Sequence, residues 1–274
     1  MRIYFINKKI LLGMIISIVT ILLTFLYFSF SNTSNTNSSS IIDSVSNNLY
    51  QKIIELYPNE KIAFLTFDDG PNVSVTPKIL DILKEENIKA SFFVIGKCVD
   101  ANPEITKRAY DEGHYIANHG YSHNNNLLYK SSDNFLNEVK KTDLAIGNAI
   151  GVSNYCSHLF RFPNGFMSPS NKSKKKEAVK LLQDIEYNYI DWNCLNNDSI
   201  KKYSSSQLLN NLIKSSKNKD ILVILMHDTK DVSNSSLVLK DSIKYLKGKG
   251  YVFKNFYDII QNILIMKWIG FTSL

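Results

Sequence analysis

Short apolar runs alternate with longer amphipathic segments from residue 61 to residue 256, and this alternation restricts the possible folds more than any other feature. The pattern predicts strands at 61–67, 90–96, 114–118, 158–163, 187–192, 220–228 and 250–256. It predicts helices at 76–88, 102–114, 131–151, 174–185 and 205–216, and a last helix between the final two strands. Strands joined by helices pair in parallel through right-handed crossovers. We therefore expect an α/β fold, a deformed (β/α) barrel of about seven strands, with its chemistry at the carboxyl ends of those strands.

A separate apolar segment precedes this pattern. Residues 10–30 contain no charged side chain, and at ~1.5 Å of helical rise per residue they could cross a hydrocarbon layer of ~30 Å. Arg2, Lys8 and Lys9 come before the segment and no acidic residue does, which places the N-terminus in the cytoplasm. We expect residues 1–30 to be a cytoplasmic stub and a single transmembrane helix; a cleaved signal peptide is the alternative.

The rest of the chain divides into a linker, one folded domain and a tail. Residues 31–58 begin with a Ser- and Asn-rich stretch and predict a flexible tether. Residues 59–262 predict the folded domain, outside the cell membrane. The apolar tail at 263–274 is expected to pack on the barrel, with a membrane or partner contact as the alternative. The formal charge of +7 favours an anionic cell-surface polymer over nucleic acid as the partner, with ordinary solubility as the alternative explanation of the charge.

The cysteines of the chain do not indicate its function. Cys98, Cys156 and Cys194 are an odd number of thiols without C-x-x-C spacing. They predict neither a disulfide framework nor a thiolate metal site.

Two adjacent carboxylates, Asp68 and Asp69, end the first predicted strand in "IAFLTFDDGP". Like charges this close raise each other's pKa unless an opposite charge compensates, and a divalent cation would do so. His119 and His123 lie four residues apart in "NHGYSH". Two imidazoles and one carboxylate leave a coordination position open, as in catalytic zinc sites. The other aspartate would then be available as a general base.

More polar residues occur where other predicted strands end, and they should meet at the same edge of the sheet. They are Arg161, Asp191, His227 and Asp228. His114 and His158 do not fit this pattern, and we expect them to be structural or exposed.

Taken together, these motifs resemble those of polysaccharide deacetylases of the NodB-homology type, carbohydrate esterase family 4, over residues 62–257. "TFDDGP" is similar to the first family motif, which implies that Asp68 is the general base and Asp69 a metal ligand. "HGYSH" is similar to the second motif and implies that His119 and His123 are ligands. The resemblance implies a divalent metal cofactor, with zinc as the expected ion.

The third and fifth motifs imply the remaining roles. In "RFPNG", Arg161 would orient the catalytic aspartate and the backbone N–H of Asn164 would bind the oxyanion. In "LMHD", His227 would be the general acid and Leu225 would line the pocket for the acetyl methyl group. Trp192 joins the predicted substrate-binding residues.

The fourth motif departs from the family pattern. Where relatives have W-x-x-D, with an aspartate that tunes the catalytic histidine, this chain has Leu195. Asp191 or Asp198 could substitute, or His227 could lack this partner. The last possibility would make the chain a catalytically weak wall-binding homologue.

The function implied is hydrolytic removal of N-acetyl groups from amino sugars of a cell-surface polysaccharide. The predicted location outside the membrane favours peptidoglycan N-acetylglucosamine. N-acetylmuramic acid and chitooligosaccharides are alternatives, because fold and family alone do not determine the substrate.

Overall fold

The computed structural model describes residues 49–200, 203–229 and 235–268. The apolar run at 10–30 and most of the predicted tether lie outside these residues. Within the described ranges, no helix is both long enough and apolar enough to cross a membrane. The transmembrane anchor therefore stays a prediction.

Parallel strands form one curled sheet, as the alternation predicts. The strands are β1 (Ile62–Asp68), β2 (Ser91–Val94), β3 (Tyr115–Asn118), β4 (Leu159–Phe160), β5 (Asn188–Tyr189), β6 (Cys194–Leu195), β7 (Ile221–His227) and β8 (Val252–Lys254). Their order is β5-β4-β3-β2-β1-β7-β6, and β8 pairs with the first three residues of β1. Seven strands in one parallel path confirm the predicted α/β architecture. In the described residues the path ends at β5 and β6, so the barrel is open on that side.

Helices lie before, between and after the strands. They are α1 (49–56), α2 (Thr76–Glu85), α3 (Gly96–Ala101), α4 (Pro103–Asp111), α5 (Asn125–Leu128), α6 (Ser132–Ile150), α7 (Lys172–Asp184), α8 (Ser205–Ser216), α9 (Ser235–Gly248) and α10 (Tyr257–Trp268). Local signals explain the ends of α6: the Ser131 side chain accepts a hydrogen bond from Asn134 N, and Gly151 ends the helix at φ +77°. Short α3 and α5 and the terminal α10 were not predicted as separate helices.

Successive side chains of each strand point to opposite faces of the sheet, and this divides the apolar core in two. On β1, Ala63 and Leu65 pack in a cluster shared with α2, α4, α6 and α9. Ile62 and Phe64 pack in a second cluster on the other face, together with residues of α1 and α10. Helices thus cover the outer face, and α1 and α10 cover the inner face at the end where β1 begins.

Both predicted domain boundaries move outward in the structure. Residues 49–56, assigned by the sequence to the flexible tether at 31–58, are helical, and Leu49 and Ile53 are buried in the inner cluster. The predicted tail at 263–274 begins inside α10, where Ile263 is buried in the same cluster. Apolar residues outside the strand–helix pattern therefore belong to the core of the domain.

Thr76, at the start of α2, makes two side-chain hydrogen bonds outside the helix. It is the first residue of α2 rather than its N-cap, which is Val75. The Thr76 hydroxyl donates to Asp228 Oδ2 at 2.7 Å and accepts from Asn72 N at 2.8 Å. The side chain therefore joins the start of α2 to the residue that follows β7.

Candidate metal centre and active site

The site is built at the carboxyl ends of the two longest strands. Asp68 ends β1, His227 ends β7, and the two residues are partners in the strand register. Asp69 follows β1 directly, with φ +77°, a left-handed conformation that is uncommon for a residue other than glycine. The turn carries the Asp69 carboxylate to the loop that follows β3.

That loop supplies the two imidazoles. Asp69 Oδ1 lies 3.3 Å from His119 Nε2 and 3.2 Å from His123 Nε2. Two ligands at zinc–ligand distances of 2.0–2.1 Å in a tetrahedral site are separated by about 3.3 Å. The potential ligand atoms of the three residues all lie within 4.8 Å of one another. The structure thus brings together the three predicted ligands at the spacing of a metal site.

Asp69 is prepared to bind a cation. Its Oδ1 atom is buried and has no hydrogen-bond partner among the described residues. Burial alone would raise the pKa of Asp69, but the adjacent His119 imidazole, followed by the charges of His123 and His227, outweighs it and lowers the pKa below its ordinary value. A buried carboxylate oxygen with no partner is costly unless a cation compensates it.

His119 is oriented by a contact behind the ligand atoms. Its Nδ1 atom lies 2.7 Å from the carbonyl oxygen of Arg161, so Nδ1 carries the proton and Nε2 faces Asp69. Hydrogen bonds of this kind fix the tautomer and ring orientation of metal-binding histidines. The backbone carbonyl of Arg161, in the third motif, therefore orients the His119 ring of the second motif.

The Arg161 guanidinium holds Asp68. Arg161 is fully buried, and its Nη1 atom donates to Asp68 Oδ1 at 2.8 Å and to Thr66 Oγ1 at 2.7 Å. Its Nε atom donates to the carbonyl oxygen of Ile190 at 3.1 Å, and the guanidinium lies 3.9 Å from the Phe93 ring centroid. Asp68 Oδ2 lies 3.8 Å from His119 Nε2. One oxygen of Asp68 is thus fixed while the other faces the metal ligands.

His227 has a carboxylate partner, and it is Asp198. The His227 Nδ1 atom lies 2.7 Å from Asp198 Oδ1, and the His227 backbone N–H donates to Asp198 Oδ2 at 2.9 Å. The Ser235 hydroxyl also donates to Asp198 Oδ2. Burial alone would lower the pKa of His227, but the hydrogen bond and charge of Asp198, with smaller effects of Asp68 and Asp69, raise it to about 9. His227 is therefore protonated at neutral pH.

The other candidate partner, Asp191, lies elsewhere. Its Oδ1 accepts a hydrogen bond from Phe166 N at 2.8 Å and its Oδ2 accepts one from Met167 N at 3.0 Å. The structure thus replaces the predicted acid-tuning role of Asp191 with a contact to the loop after β4. Leu195 lies in β6, opposite Leu225 of β7. A carboxylate at position 195 is not required, because Asp198 provides the one that contacts His227.

The remaining predicted residues line the same end of the sheet. Asn164 is exposed, with φ +64°, in a turn closed by a 2.7 Å hydrogen bond from Gly165 N to the Phe162 carbonyl. Proline followed by a residue of positive φ is the pattern of a type II turn. Leu225 is 5% exposed beside Thr66. Trp192 is half-buried, with its ring 5.8 Å from the Arg161 guanidinium.

Two residues that contribute to the site, Thr66 and Ser235, lie outside the predicted set. Thr66 could have been predicted from the sequence. Asp68 follows it by two residues, and side chains two residues apart on a strand point to the same face. Ser235 reaches Asp198 across 37 residues, and no local pattern marks it.

Similar proteins share both the sequence and the fold. The polysaccharide deacetylase family model matches residues 56–189. A peptidoglycan-N-acetylglucosamine deacetylase of Bacillus cereus is 34% identical over 203 residues, covering 72% of this chain and 70% of that protein. The peptidoglycan-N-acetylmuramic acid deacetylase PdaA of Bacillus subtilis is 29% identical over 217 residues, 78% of each chain.

A solved structure gives the same picture. A CE4 esterase of Streptococcus mutans is 30% identical to this chain and superposes with a TM-score of 0.68. The match covers 77% of this chain and 90% of that one. The likeness therefore extends over nearly all of the solved domain.

Proposed function

Because the chain belongs to the polysaccharide deacetylase family, we propose that it hydrolyses N-acetyl groups from amino sugars of a cell-surface polysaccharide. The substrate we infer is the N-acetylglucosamine of peptidoglycan, the sugar in the name of the Bacillus cereus relative. N-acetylmuramic acid, in the name of PdaA, is the alternative. The observation that carries the proposal is the Asp69–His119–His123 cluster beside Asp68 of β1, whose strand partner is His227.

The three clustered residues fit a divalent metal ion, and zinc is our first choice. The fit rests on the unpartnered, buried Asp69 Oδ1 and on the 3.2 and 3.3 Å separations from the two imidazole nitrogens. When bound, such an ion polarises a carbonyl and lowers the pKa of water, which makes a nucleophile available at neutral pH. Asp69, His119 and His123 would hold it.

Asp68 is placed to accept the proton of the attacking water. Arg161 holds Oδ1 and prevents the carboxylate from rotating, while Oδ2 faces the side of the metal ligands. A positioned general base contributes about 10²- to 10⁴-fold to a reaction rate. The buried guanidinium of Arg161 therefore assists the general base, because it determines the direction in which the free Oδ2 atom of Asp68 points.

His227 is placed to protonate the leaving nitrogen. The hydrogen bond to Asp198 keeps the imidazole charged and fixes Nδ1, so that Nε2 is the atom that gives the proton. When the amide C–N bond breaks, this proton goes to the amine, and acetate is the other product. The polymer then gains a basic amino group for each acetyl group lost.

The negative charge that develops on the acetyl oxygen needs a donor. The turn at Asn164 closes through Gly165 N, and the Asn164 N–H is not part of that hydrogen bond. We infer that this N–H binds the oxyanion. Donors of this kind contribute about 3–4 kcal/mol in acyl-transfer sites. We infer that Leu225 contacts the acetyl methyl group.

The structure favours an enzyme over a catalytically weak wall-binding homologue. Leu195, at the position of the acid-tuning aspartate, favours weak catalysis when the sequence is considered alone. Asp198, three residues later, makes that contact with His227. The physical reason for expecting a defective acid is thereby removed.

Acetate release from purified peptidoglycan by the full chain tests the proposal. We expect release that is abolished by a metal chelator and restored by zinc. Analysis of the digested product would show whether glucosamine or muramic acid has appeared. Chitooligosaccharides serve as the third substrate.

The proposal is rejected if the full chain binds zinc but releases no acetate from any of the three substrates. Asp184→Asn, an exposed aspartate at the end of α7, is a control that should keep full activity.

We also propose that residues 10–30 anchor the chain in the cell membrane, with the catalytic domain outside. The support is the uncharged run and the basic residues before it. Fractionation of cells should then find the chain in membranes, released by detergent but not by high salt. Release by salt alone, or a shortened N-terminus, would contradict the anchor.

A further inference from the structure

Two charged side chains from outside the loop hold the backbone at 164–168, directly beside the predicted oxyanion donor. Asp191, after β5, accepts the two consecutive N–H groups of Phe166 and Met167, at 2.8 and 3.0 Å. Lys175, in α7, donates to the carbonyl oxygens of Gly165 at 2.6 Å and Ser168 at 3.3 Å. Four backbone groups within four residues are thus fixed by two side chains.

Asp191 also connects this loop to Arg161. While its carboxylate holds the loop, its carbonyl oxygen accepts a hydrogen bond from Arg161 Nη2 at 3.4 Å, and the preceding residue, Ile190, accepts one from Nε at 3.1 Å. Arg161 in turn holds Asp68. One short segment therefore fixes the position of the loop relative to the catalytic carboxylate.

Lys175 differs from the other lysines around it. The sequence of α7 begins with a lysine-rich run, and Lys172, Lys174 and Lys180 are exposed, whereas Lys175 is 1% exposed. A buried ammonium group is costly unless hydrogen bonds and an opposite charge compensate it. Burial lowers the pKa of Lys175, and the negative charge of Asp191 partly opposes this. The two side chains thus stabilise each other's charge through the loop that both hold.

The loop has little freedom to take another shape. Gly165 has φ +81°, and a Cβ atom there would lie 2.9 Å from the Trp192 ring. The glycine therefore allows a close contact that a larger residue would prevent. Asn164 comes directly before this glycine, in the turn that the hydrogen bond from Gly165 N to the Phe162 carbonyl closes, so the Asn164 N–H is held with that turn.

We propose that Asp191 and Lys175 are positioning residues that hold the 164–168 loop in the conformation presenting the Asn164 N–H to the substrate. This inference rests on the proposed function, because it assigns the two side chains to the oxyanion donor of that reaction. Neither side chain needs to touch the substrate. Misplacement of a catalytic group by about 1 Å can cost about 100-fold in rate.

The test compares Asp191→Asn and Lys175→Met with matched controls in the same full chain. Asp184→Asn and Lys180→Met make the same chemical changes at exposed positions of α7. Amide hydrogen exchange of a peptide spanning 162–170 reports the loop directly and does not require activity. Steady-state acetate release gives kcat and KM, and a zinc titration reports whether the metal cluster is intact.

For Asp191→Asn and Lys175→Met we expect faster exchange of the 162–170 peptide, by about tenfold or more, with zinc affinity unchanged. The kcat should fall about 10- to 100-fold with KM changed less than threefold, because the oxyanion donor acts in the transition state. Lys175→Arg, which keeps the charge and donors, should recover part of the loss. Both controls should behave as wild type.

Unchanged exchange and kcat in Asp191→Asn would overturn the inference. So would a loss of zinc binding, since the two residues would then support the whole domain and not this loop. If the wild-type chain releases no acetate, the proposed function fails by itself, and the exchange experiment still decides whether these side chains hold the loop.

Discussion

The two ends of the inner face of the sheet have opposite character, although the same strands form both. Near the start of β1, Ile62 and Phe64 are fully buried in an apolar cluster with α1 and α10. On the same face, Thr66 and Asp68 accept hydrogen bonds from Arg161. The side chains on this face change from apolar at Phe64 to polar at Thr66, the next residue of β1 that points to the same side.

Strand β7 repeats this division. Ile221 and Val223 lie in the inner apolar cluster, and Leu225 and His227 follow on the same face. The amino end of the inner face thus stabilises the fold, whereas its carboxyl end supplies the reactive groups. Because the two functions are separated along each strand, substitutions at one end should leave the property of the other end nearly unchanged.

The largest expected effect is at the carboxyl end. Asp68→Asn should lower kcat by about three orders of magnitude, since the amide cannot take a proton from water. Its oxygen can still accept the hydrogen bond from Arg161, but the buried guanidinium loses its opposite charge, so a modest loss of stability should accompany the loss of rate. Acetate release and thermal unfolding of the same preparation check both parts. A large loss of stability would contradict the separation of the two ends.

The second expected effect is at the amino end. Phe64→Ala removes a fully buried ring that stacks on Phe256 at 4.7 Å between centroids. The free energy of unfolding should fall by about 3–5 kcal/mol, as measured by denaturant titration. The rate of acetate release per folded molecule, taken well below the melting temperature, should stay within twofold. A larger loss of rate would show that the core near β8 affects the site.

The third effect concerns the acid. Asp198→Asn removes the charge that raises the pKa of His227 to about 9. Because His227 must be protonated to act, activity is lost as pH rises through its pKa, and the alkaline limb of the rate profile should move to lower pH. At neutral pH we expect kcat to fall about 10- to 100-fold. An unmoved alkaline limb would assign that limb to another group.

The smallest expected effect tests α10 as part of the amino-end core. Ile263→Val should reduce the free energy of unfolding by about 0.5–1.5 kcal/mol without changing kcat. Ile265→Val, at a position 55% exposed on the same helix, is the matched control and should change neither. Equal stability of the two variants would mean that α10 does not contribute its buried face to the core.

Much of the fold follows from periodicity alone. The apolar runs locate β1, β2, β3 and β7 to within a residue or two, because both faces of these strands are buried and most of their residues are apolar. The predicted strands at 158–163 and 187–192 are only two residues long in the structure, as β4 and β5. The two-residue strand β6 was not predicted, because it carries too few residues for a period to be recognised. Helix α1 was not predicted, because its two buried apolar residues, Leu49 and Ile53, lie beside a Ser- and Asn-rich stretch.

The residues of the site also divide into those that the sequence predicts and those that it does not. Asp69, His119 and His123 could be selected from short motifs, since adjacent carboxylates and histidines four residues apart have few other uses together at strand ends. The choice between Asp191 and Asp198 could not be made, because both lie near Trp192 and both are acidic. Their distances to His227 depend on the path of the chain after β5.

The sequence by itself determined the strand–helix alternation and the residue types that could bind a metal, because both are written in local spacing. Only the tertiary structure decided which carboxylate meets His227, that Ser235 supports it, and that one lysine of a charged run is buried beneath a loop. These contacts join residues about 10 to 40 positions apart. Their geometry depends on how the strands and loops pack, and no local pattern specifies that packing.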